Sequence, residues 1–140
     1  MRAVLDTNVL ISATFWAGKP KQLLNQVRCR EITFLTSQIL LNELKEVLIR
    51  EDKPSRLSAA EAERVVIAIR DLAEIVQPHS QVTVCRDEND NRVLECAKDG
   101  RADWIITGDL HLLELKSFQE IKIVTVENFL RRGRKDPIDA

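Results

Sequence analysis

The sequence predicts an α/β fold with a mainly parallel sheet. Short apolar runs alternate with amphipathic helical stripes along the whole chain, the order expected of β–α–β units. Two of the runs, 3–5 and 104–107, show no polar alternation, as expected of strands that helices cover on both faces. No repeat or Gly/Ser-rich linker divides the 140 residues. We therefore expect one domain over residues 1–132, followed by a flexible C-terminal tail, 133–140.

The first half of the chain predicts two strands and three helices. The first strand, 3–5, ends at Asp6, and helices follow over about 9–16 and 20–28 with a break at Gly18. A second strand covers 32–35. Ser37 is a suitable N-cap for a helix to about residue 50, whose leucines recur with a helical period.

The second half begins with a longer helix. Ser58 and Glu61 form a capping-box pair at its start, and its apolar stripe predicts a helix to about residue 75. A short extended piece is expected at 82–84, and a helix over 90–98 ends near Gly100. The buried strand 104–107, a last strand at 121–126 and a short helix at 127–132 complete the prediction.

Charge and cysteine content exclude some classes of protein. The chain has 21 Lys and Arg against 22 Asp and Glu, so it is not a uniformly basic nucleic-acid coat, although a local basic patch is compatible with this balance. Its three cysteines form no C-x-x-C pair, which argues against a disulfide framework or a zinc ribbon. No apolar run approaches the roughly 20 residues of a membrane span. We expect a protein of the reducing cytoplasm, without a membrane partner.

Four carboxylates are candidates for a functional site. Asp6 and Asp109 each follow a predicted strand, and parallel strands bring such residues to one edge of the sheet. We expect Gly108 to let the chain turn sharply before Asp109. Asp90 shares the apolar face of its helix, from which Glu95 is expected to point away, and Glu43 lies at the margin of a buried stripe.

Each of these acids also has a plainer explanation. The two strand-end aspartates and Asp90 are suitable helix N-caps, and Glu43 is suitably placed for a salt bridge to a nearby Lys or Arg. Taken together, four acids meeting in a cleft would repel one another unless they bound protons or a hard divalent cation. Oxygen ligands suit Mg²⁺ or Mn²⁺, and such ions assist phosphodiester hydrolysis. An aspartate-based phosphatase is less well supported, because the residue two positions after Asp6 is Asn8 and not a second acid.

The acidic motifs resemble those of PIN domains. The resemblance rests on Leu5-Asp6-Thr7-Asn8-Val9, the helix carrying Glu43, the segment 85–91 (Cys-Arg-Asp-Glu-Asn-Asp-Asn) and Ile106-Thr107-Gly108-Asp109. More narrowly, the chain resembles the compact PIN proteins that act as toxins of toxin–antitoxin pairs, relatives of the VapC-type toxins. The resemblance implies a three-layer α/β/α sandwich and a metal-dependent ribonuclease, usually dimeric and held inactive by an antitoxin.

The resemblance also assigns residues. It matches Asp6, Glu43, Asp90 and Asp109 to the catalytic, metal-binding acids, and Asn8, Thr107 and Asp87 to supporting positions. Glu88, Asn89 and His111 depart from the residues common in close relatives, so a catalytically weak PIN scaffold that acts through protein binding is the alternative. An RNA backbone needs positive charge beside the acids, and the candidates are Lys19, Arg86, Arg92 and His111.

Overall fold

The computed structural model describes residues 1–50, 52 and 56–133. The predicted tail beyond residue 133 lies outside the described residues. Within the described ranges, no helix combines the length and the apolar character needed to cross a bilayer.

A six-stranded sheet forms the centre of the fold. Its strands in chain order are β1 (Arg2–Leu5), β2 (Thr33–Ser37), β3 (Ala73–Val76), β4 (Trp104–Ile106), β5 (Ser117–Phe118) and β6 (Ile121–Val124). They lie in the spatial order β3-β2-β1-β4-β6-β5, and every neighbouring pair is parallel except β5 with β6. The predicted mainly parallel sheet is confirmed, and β1 and β4 lie side by side at its centre.

Helices cover both faces of the sheet. In chain order they are α1 (Thr7–Phe15), α2 (Lys19–Arg28), α3 (Gln38–Leu48), α4 (Ala59–Leu72), α5 (Glu88–Asp99), α6 (Leu110–Leu115) and α7 (Val126–Gly133). Alternate residues of β1 enter two separate cores, with Ala3 and Leu5 facing α1–α4 and α7, and Val4 facing α5 and α6. This is the expected α/β/α sandwich.

Several helix boundaries follow the local signals in the sequence. The Ser37 side chain accepts a hydrogen bond from the Leu40 N–H at the start of α3. At the start of α4, Ser58 and Glu61 form both hydrogen bonds of the predicted capping box. These side chains satisfy backbone N–H groups that have no partner within the helix.

The predicted end of the fourth helix is wrong. The helix stops at Leu72, and Ala73–Val76 forms the edge strand β3, which pairs in parallel with β2. The helical stripe continues through Leu72 and Ala73 in sequence, but Ile75 and Val76 are β-branched and gain backbone hydrogen bonds from the neighbouring strand. Pairing with β2 therefore overrides the local helical pattern.

Gly108 does not have the role expected of it, whereas Gly100 has its expected role and an additional one. At Gly108 the backbone φ is not positive and an added Cβ would meet nothing within 4 Å, so the expected requirement for glycine is not present. Gly100 ends α5 as predicted, and there an added Cβ would lie 2.8 Å from the Cys96 carbonyl oxygen and 2.8 Å from a methyl group of Val76. Close packing of α5 against the sheet therefore requires glycine at position 100.

Candidate functional site

Two central strands deliver Asp6 and Asp109 to the same edge of the sheet. Asp6 follows β1 and Asp109 follows β4, and these two strands are paired. The buried Thr107 links them: its hydroxyl donates to Asp6 Oδ2 over 2.6 Å and accepts from the Asp109 N–H over 3.0 Å. A single threonine hydroxyl thus fixes the spacing between the ends of both strands.

A second threonine connects Asp6 to Glu43. The Thr7 N–H donates to Asp6 Oδ1 over 2.6 Å, and the Thr7 hydroxyl donates to Glu43 Oε2 over 3.2 Å. Thr7 begins α1 and is buried, whereas Glu43 projects half-buried from α3. Asp6 and Glu43 are therefore both held by Thr7, Asp6 through its backbone N–H and Glu43 through its hydroxyl. Sequence inspection left Thr7 without a role.

Asp90 lies against Asp109 in the most strained electrostatic setting of the site. Asp90 is only 6% exposed, and its Oδ2 atom is buried without a hydrogen-bond partner. The pKa of Asp90 is raised from 3.8 to about 7, chiefly by burial and further by a hydrogen bond to Asp109 and by the charges of Asp109, Asp87 and Asp6. Two carboxylates that close together are more stable when they share a proton than when both are charged.

The other acids also act on one another. Burial raises the pKa of Asp6, against the lowering effect of its hydrogen bonds from Thr107 and Thr7, and the charge of Asp109 raises it further. Burial likewise raises the pKa of Glu43, with added repulsion from Asp6 and Asp87. Within the described residues, none of the four predicted acids forms a salt bridge with a Lys or Arg. The site carries uncompensated negative charge.

The plainer explanations hold for some acids and fail for others. Asp6 and Asp109 do cap α1 and α6 with their side chains while also belonging to the cluster. For α5 the cap is Asp87, so Asp90 is left in the first turn with its carboxylate turned inward. The salt bridge considered for Glu43 is not formed, since the nearby Lys45 pairs with Glu63.

The donor set fits a hard cation in its chemistry. All four side chains offer carboxylate oxygens, which Mg²⁺ and Mn²⁺ prefer. The unpartnered Oδ2 of Asp90 is a buried acceptor that a cation or a proton would satisfy. Over residues 1–50, 52 and 56–133, however, no three His, Cys, Asp or Glu side chains are gathered closely enough to hold an ion. The carboxylates are neighbours without forming a preassembled ligand shell.

The loop that leads into α5 is held by the helix itself. Residues 77–87 form the β3–α5 loop, and residues 82–84, where a short extended piece is predicted, form no strand. Instead, α5 side chains one turn apart bind the backbone of the loop. Asn91 donates to the Cys85 carbonyl and accepts from its N–H at 2.9 and 2.8 Å, and Glu95 accepts from the Val82 N–H at 2.9 Å. Glu95 is therefore buried, contrary to the prediction that it points away.

Asp99 completes this row of contacts at the end of α5. Its carboxylate accepts from the N–H groups of His79 and Ser80 and from the Ser80 hydroxyl, at 2.6 to 2.8 Å. Burial alone would raise the pKa of Asp99, but these hydrogen bonds outweigh it and hold the pKa below its ordinary value. The charged carboxylate thus stabilises the loop that carries Cys85, Arg86 and Asp87 to the acidic cluster.

The predicted substrate-binding residues divide into two groups. Arg86 and His111 line a cavity that also contacts Asp87 and Asp90. Lys19 instead pairs with Glu127 at 3.1 Å, and Arg92 pairs with the buried Glu95 at 3.0 Å. Both of these partners are acidic residues outside the predicted cluster, so the two cations are already engaged in the fold.

Of the supporting residues, Thr107 and Asp87 contribute to the cluster through contacts or charge, and Asn8 is exposed on the first turn of α1. Sequence inspection missed Thr7 and Asn91. The signal for Thr7 was its position directly after a strand-end aspartate. For Asn91 the local sequence gives no equivalent signal, because its partner is a loop backbone with no regular structure.

The comparison with protein families agrees with this geometry. The family model described as a PIN domain matches residues 2–111. The chain belongs to the PIN-domain family. PIN domains are generally nucleases, and PIN nucleases typically use divalent metals.

This PIN domain is similar in sequence to one archaeal protein and similar in fold to two solved structures. The uncharacterized protein MJ1680 of Methanocaldococcus jannaschii is 30% identical over 130 residues, which is 91% of this chain and 82% of that protein. VapBC2 from Rickettsia felis, solved bound to a DNA fragment from its promoter, superposes with a TM-score of 0.62 at 14% identity, over 88% of this chain and 97% of that one. PAE2754 from Pyrobaculum aerophilum gives a TM-score of 0.62 at 18% identity, over 94% and 88%. At these identities the two structures confirm the fold.

Proposed function

We propose that this PIN domain is a Mg²⁺- or Mn²⁺-dependent endoribonuclease that hydrolyses RNA phosphodiester bonds, and that it is the toxin of a toxin–antitoxin pair. What carries the proposal is the meeting of Asp6, Glu43, Asp90 and Asp109 at the carboxyl edge of the sheet without a cationic partner among the described residues. A structural role does not account for Asp90, because a buried carboxylate with an unpartnered oxygen destabilises a fold.

The four acids are the residues that would hold the cation. When bound, a divalent metal neutralises phosphate charge and makes a water molecule more acidic. The chain itself keeps the carboxylates in place: Thr107 orients Asp6 and the Asp109 backbone, and Thr7 orients Glu43. Arg86 and His111, which line a cavity together with Asp87 and Asp90, are the side chains that we expect to contact a phosphate backbone. No protein nucleophile is required.

The toxin assignment and the partners rest on similarity in fold. The Rickettsia felis neighbour is a VapBC complex, which supports an antitoxin as partner for this chain. We further propose that the protein forms a homodimer and acts in the cytoplasm. Coexpression with the product of an adjoining gene that encodes a small DNA-binding protein, followed by copurification, tests the antitoxin, and light scattering tests the dimer.

Cleavage of an end-labelled single-stranded RNA by the purified protein tests the nuclease. We expect cleavage with Mg²⁺ or Mn²⁺ and none with EDTA. Asp6→Asn should lower the rate by more than about 100-fold, since even the outer partners of metal ligands contribute 10- to 100-fold. The matched control is Asp71→Asn, an exposed carboxylate on α4, which should retain activity. Cleavage by Asp6→Asn at the same rate as by the wild type would refute the proposal.

A scaffold that binds proteins without cleaving RNA is the second candidate. The observation in its favour is that, in the part of the chain that the structure describes, no three potential ligands are gathered closely enough to hold an ion. It predicts that the wild-type protein binds its partner but shows no metal-dependent cleavage. The cleavage assay with the wild-type protein therefore separates the two functions.

A further inference from the structure

A cavity of about 480 Å³ opens directly beside the acidic cluster. It lies between the end of the β3–α5 loop, at Val84, Cys85 and Arg86, and helix α6, at His111 and Leu115. Asp87 and Asp90 belong both to its wall and to the cluster. Its volume falls within the roughly 300–1,000 Å³ that is usual for small-molecule sites.

The lining of the cavity combines apolar side chains with two polar side chains, Arg86 and His111, that have no partner among the described residues. Val84 is 58% exposed although it is a large apolar side chain, and Leu115 is half-buried beside it. Among the described residues, the side chains of Arg86 and His111 form no hydrogen bond or salt bridge, and His111 uses only its backbone N–H, to cap α6. These side chains are free to contact a ligand.

Such a lining suits one nucleotide of a single-stranded RNA. A base needs an apolar or flat surface on which to lie, and its phosphate needs a guanidinium or an imidazole. The carboxylates on the same wall repel a free anion, but they can accept hydrogen bonds from the amino groups of a base. The cavity also shares residues with the edge at which the scissile phosphate must lie, so a neighbouring nucleotide reaches it without a second binding site.

We propose that the cavity between Val84 and His111 is the binding site for the base of the nucleotide next to the scissile phosphate, and that it contributes to the sequence preference of the enzyme. This inference rests on the proposed ribonuclease function. The bidentate contact of Asn91 with the Cys85 backbone gives the cavity a fixed wall. The site therefore exists before RNA binds.

Cys85 provides a readout that does not depend on catalysis. Its thiol lines the cavity and is half-buried, whereas Cys29 is exposed at the end of α2, before β2 begins, and thus at the opposite edge of the sheet. We would measure alkylation of both cysteines in the Asp6→Asn protein, with and without a single-stranded RNA octamer and the four nucleoside 5′-monophosphates. The RNA should slow the reaction of Cys85 and leave that of Cys29 unchanged.

Filling the cavity gives the second measurement. In the Asp6→Asn background, Val84→Trp should weaken binding of the labelled octamer by about tenfold, the loss expected for one base contact. The matched control is Ile67→Trp, an exposed apolar residue of α4 that is 42% exposed, and it should bind like its parent. The double variant Asp6→Asn, Val84→Trp should fold normally because position 84 is open to solvent.

The outcomes separate this inference from the proposed function. The cavity assignment is overturned if RNA binds without protecting Cys85, or if the Val84→Trp and Ile67→Trp proteins bind RNA equally. Metal-dependent cleavage by the wild type would still support the nuclease in that case. Protection of Cys85 with no cleavage by the wild type supports the cavity as an RNA-binding site but overturns the nuclease, and with it the position of the base next to a scissile phosphate. Absence of RNA binding by the wild type contradicts both.

Discussion

Replacing Asp90 by Asn should make the metal-free protein more stable at neutral pH. The aspartate is buried beside Asp109, and one of its oxygens has no partner. The asparagine keeps the shape of the side chain, carries no charge, and offers an N–H to the Asp109 carboxylate at every pH. In the wild type, only a proton can serve that purpose.

The magnitude follows from the shift in the pKa of Asp90. Burial and the neighbouring acids raise this pKa from 3.8 to about 7, a change of about three units, and each unit corresponds to about 1.4 kcal/mol. Because the folded pKa is the higher one, the wild type is not penalised below about pH 4 and loses stability as pH rises towards 7. Asp90→Asn should therefore gain almost nothing near pH 4 and about 4 kcal/mol at pH 7 and above.

Urea unfolding in EDTA at several pH values between about 4 and 8 measures this difference. The control is Glu88→Gln, an exposed carboxylate in the first turn of the same helix; its effect should stay within about 0.5 kcal/mol at every pH. A gain from Asp90→Asn that does not change with pH, or a loss of stability at pH 7, would refute the argument that the cluster is electrostatically strained.

Three further predictions concern the scaffold around the site. Gly100→Ala should destabilise the protein by about 1–3 kcal/mol through crowding of α5 against the sheet. Gly108→Ala should change the stability by less than about 0.5 kcal/mol in the same thermal unfolding measurement. Equal losses of stability in the two variants would contradict the assigned roles. Asn91→Ala should cost about 1–3 kcal/mol, because it leaves the half-buried N–H and C=O of Cys85 without their partner. It should also speed alkylation of Cys85 relative to Cys29; an unchanged rate would show that Asn91 does not hold the loop. Asp99→Asn should destabilise the protein at pH 7. Because the pKa of Asp99 is lower in the folded than in the unfolded protein, the loss of stability relative to the wild type should shrink in urea titrations as pH falls below about 4. A loss that is constant with pH would contradict this role of the charge.

Local patterns predicted the parts of the site that depend on strand ends and helix periods. Asp6 and Asp109 follow apolar runs that are central parallel strands, so topology alone brings them together. Asp90 lies on the apolar face of α5, and its spacing from Val93 and Leu94 placed it facing inward. The shared position of Asp6 and Asp109 and the burial of Asp90 could therefore be inferred from the sequence.

Contacts between distant segments could not be predicted in this way. Glu95 is on the polar side of the helical pattern, but the β3–α5 loop covers it and supplies the Val82 N–H. Lys19 has a suitable position for RNA, but its partner Glu127 is more than a hundred residues away in sequence. The strand at Ala73–Val76 exists because β2 lies beside it. In each case the deciding partner is absent from the local sequence.

Calorimetric titration of Mn²⁺ into the purified protein tests the metal-binding role of the four acids most directly. We predict saturable binding by the wild type, with at least about a tenfold loss of affinity in Glu43→Gln and Asp90→Asn and no change in Asp71→Asn. Binding of Mn²⁺ that is the same in all four proteins, or no binding by a folded wild type, would contradict the assignment of Asp6, Glu43, Asp90 and Asp109 as a cation site.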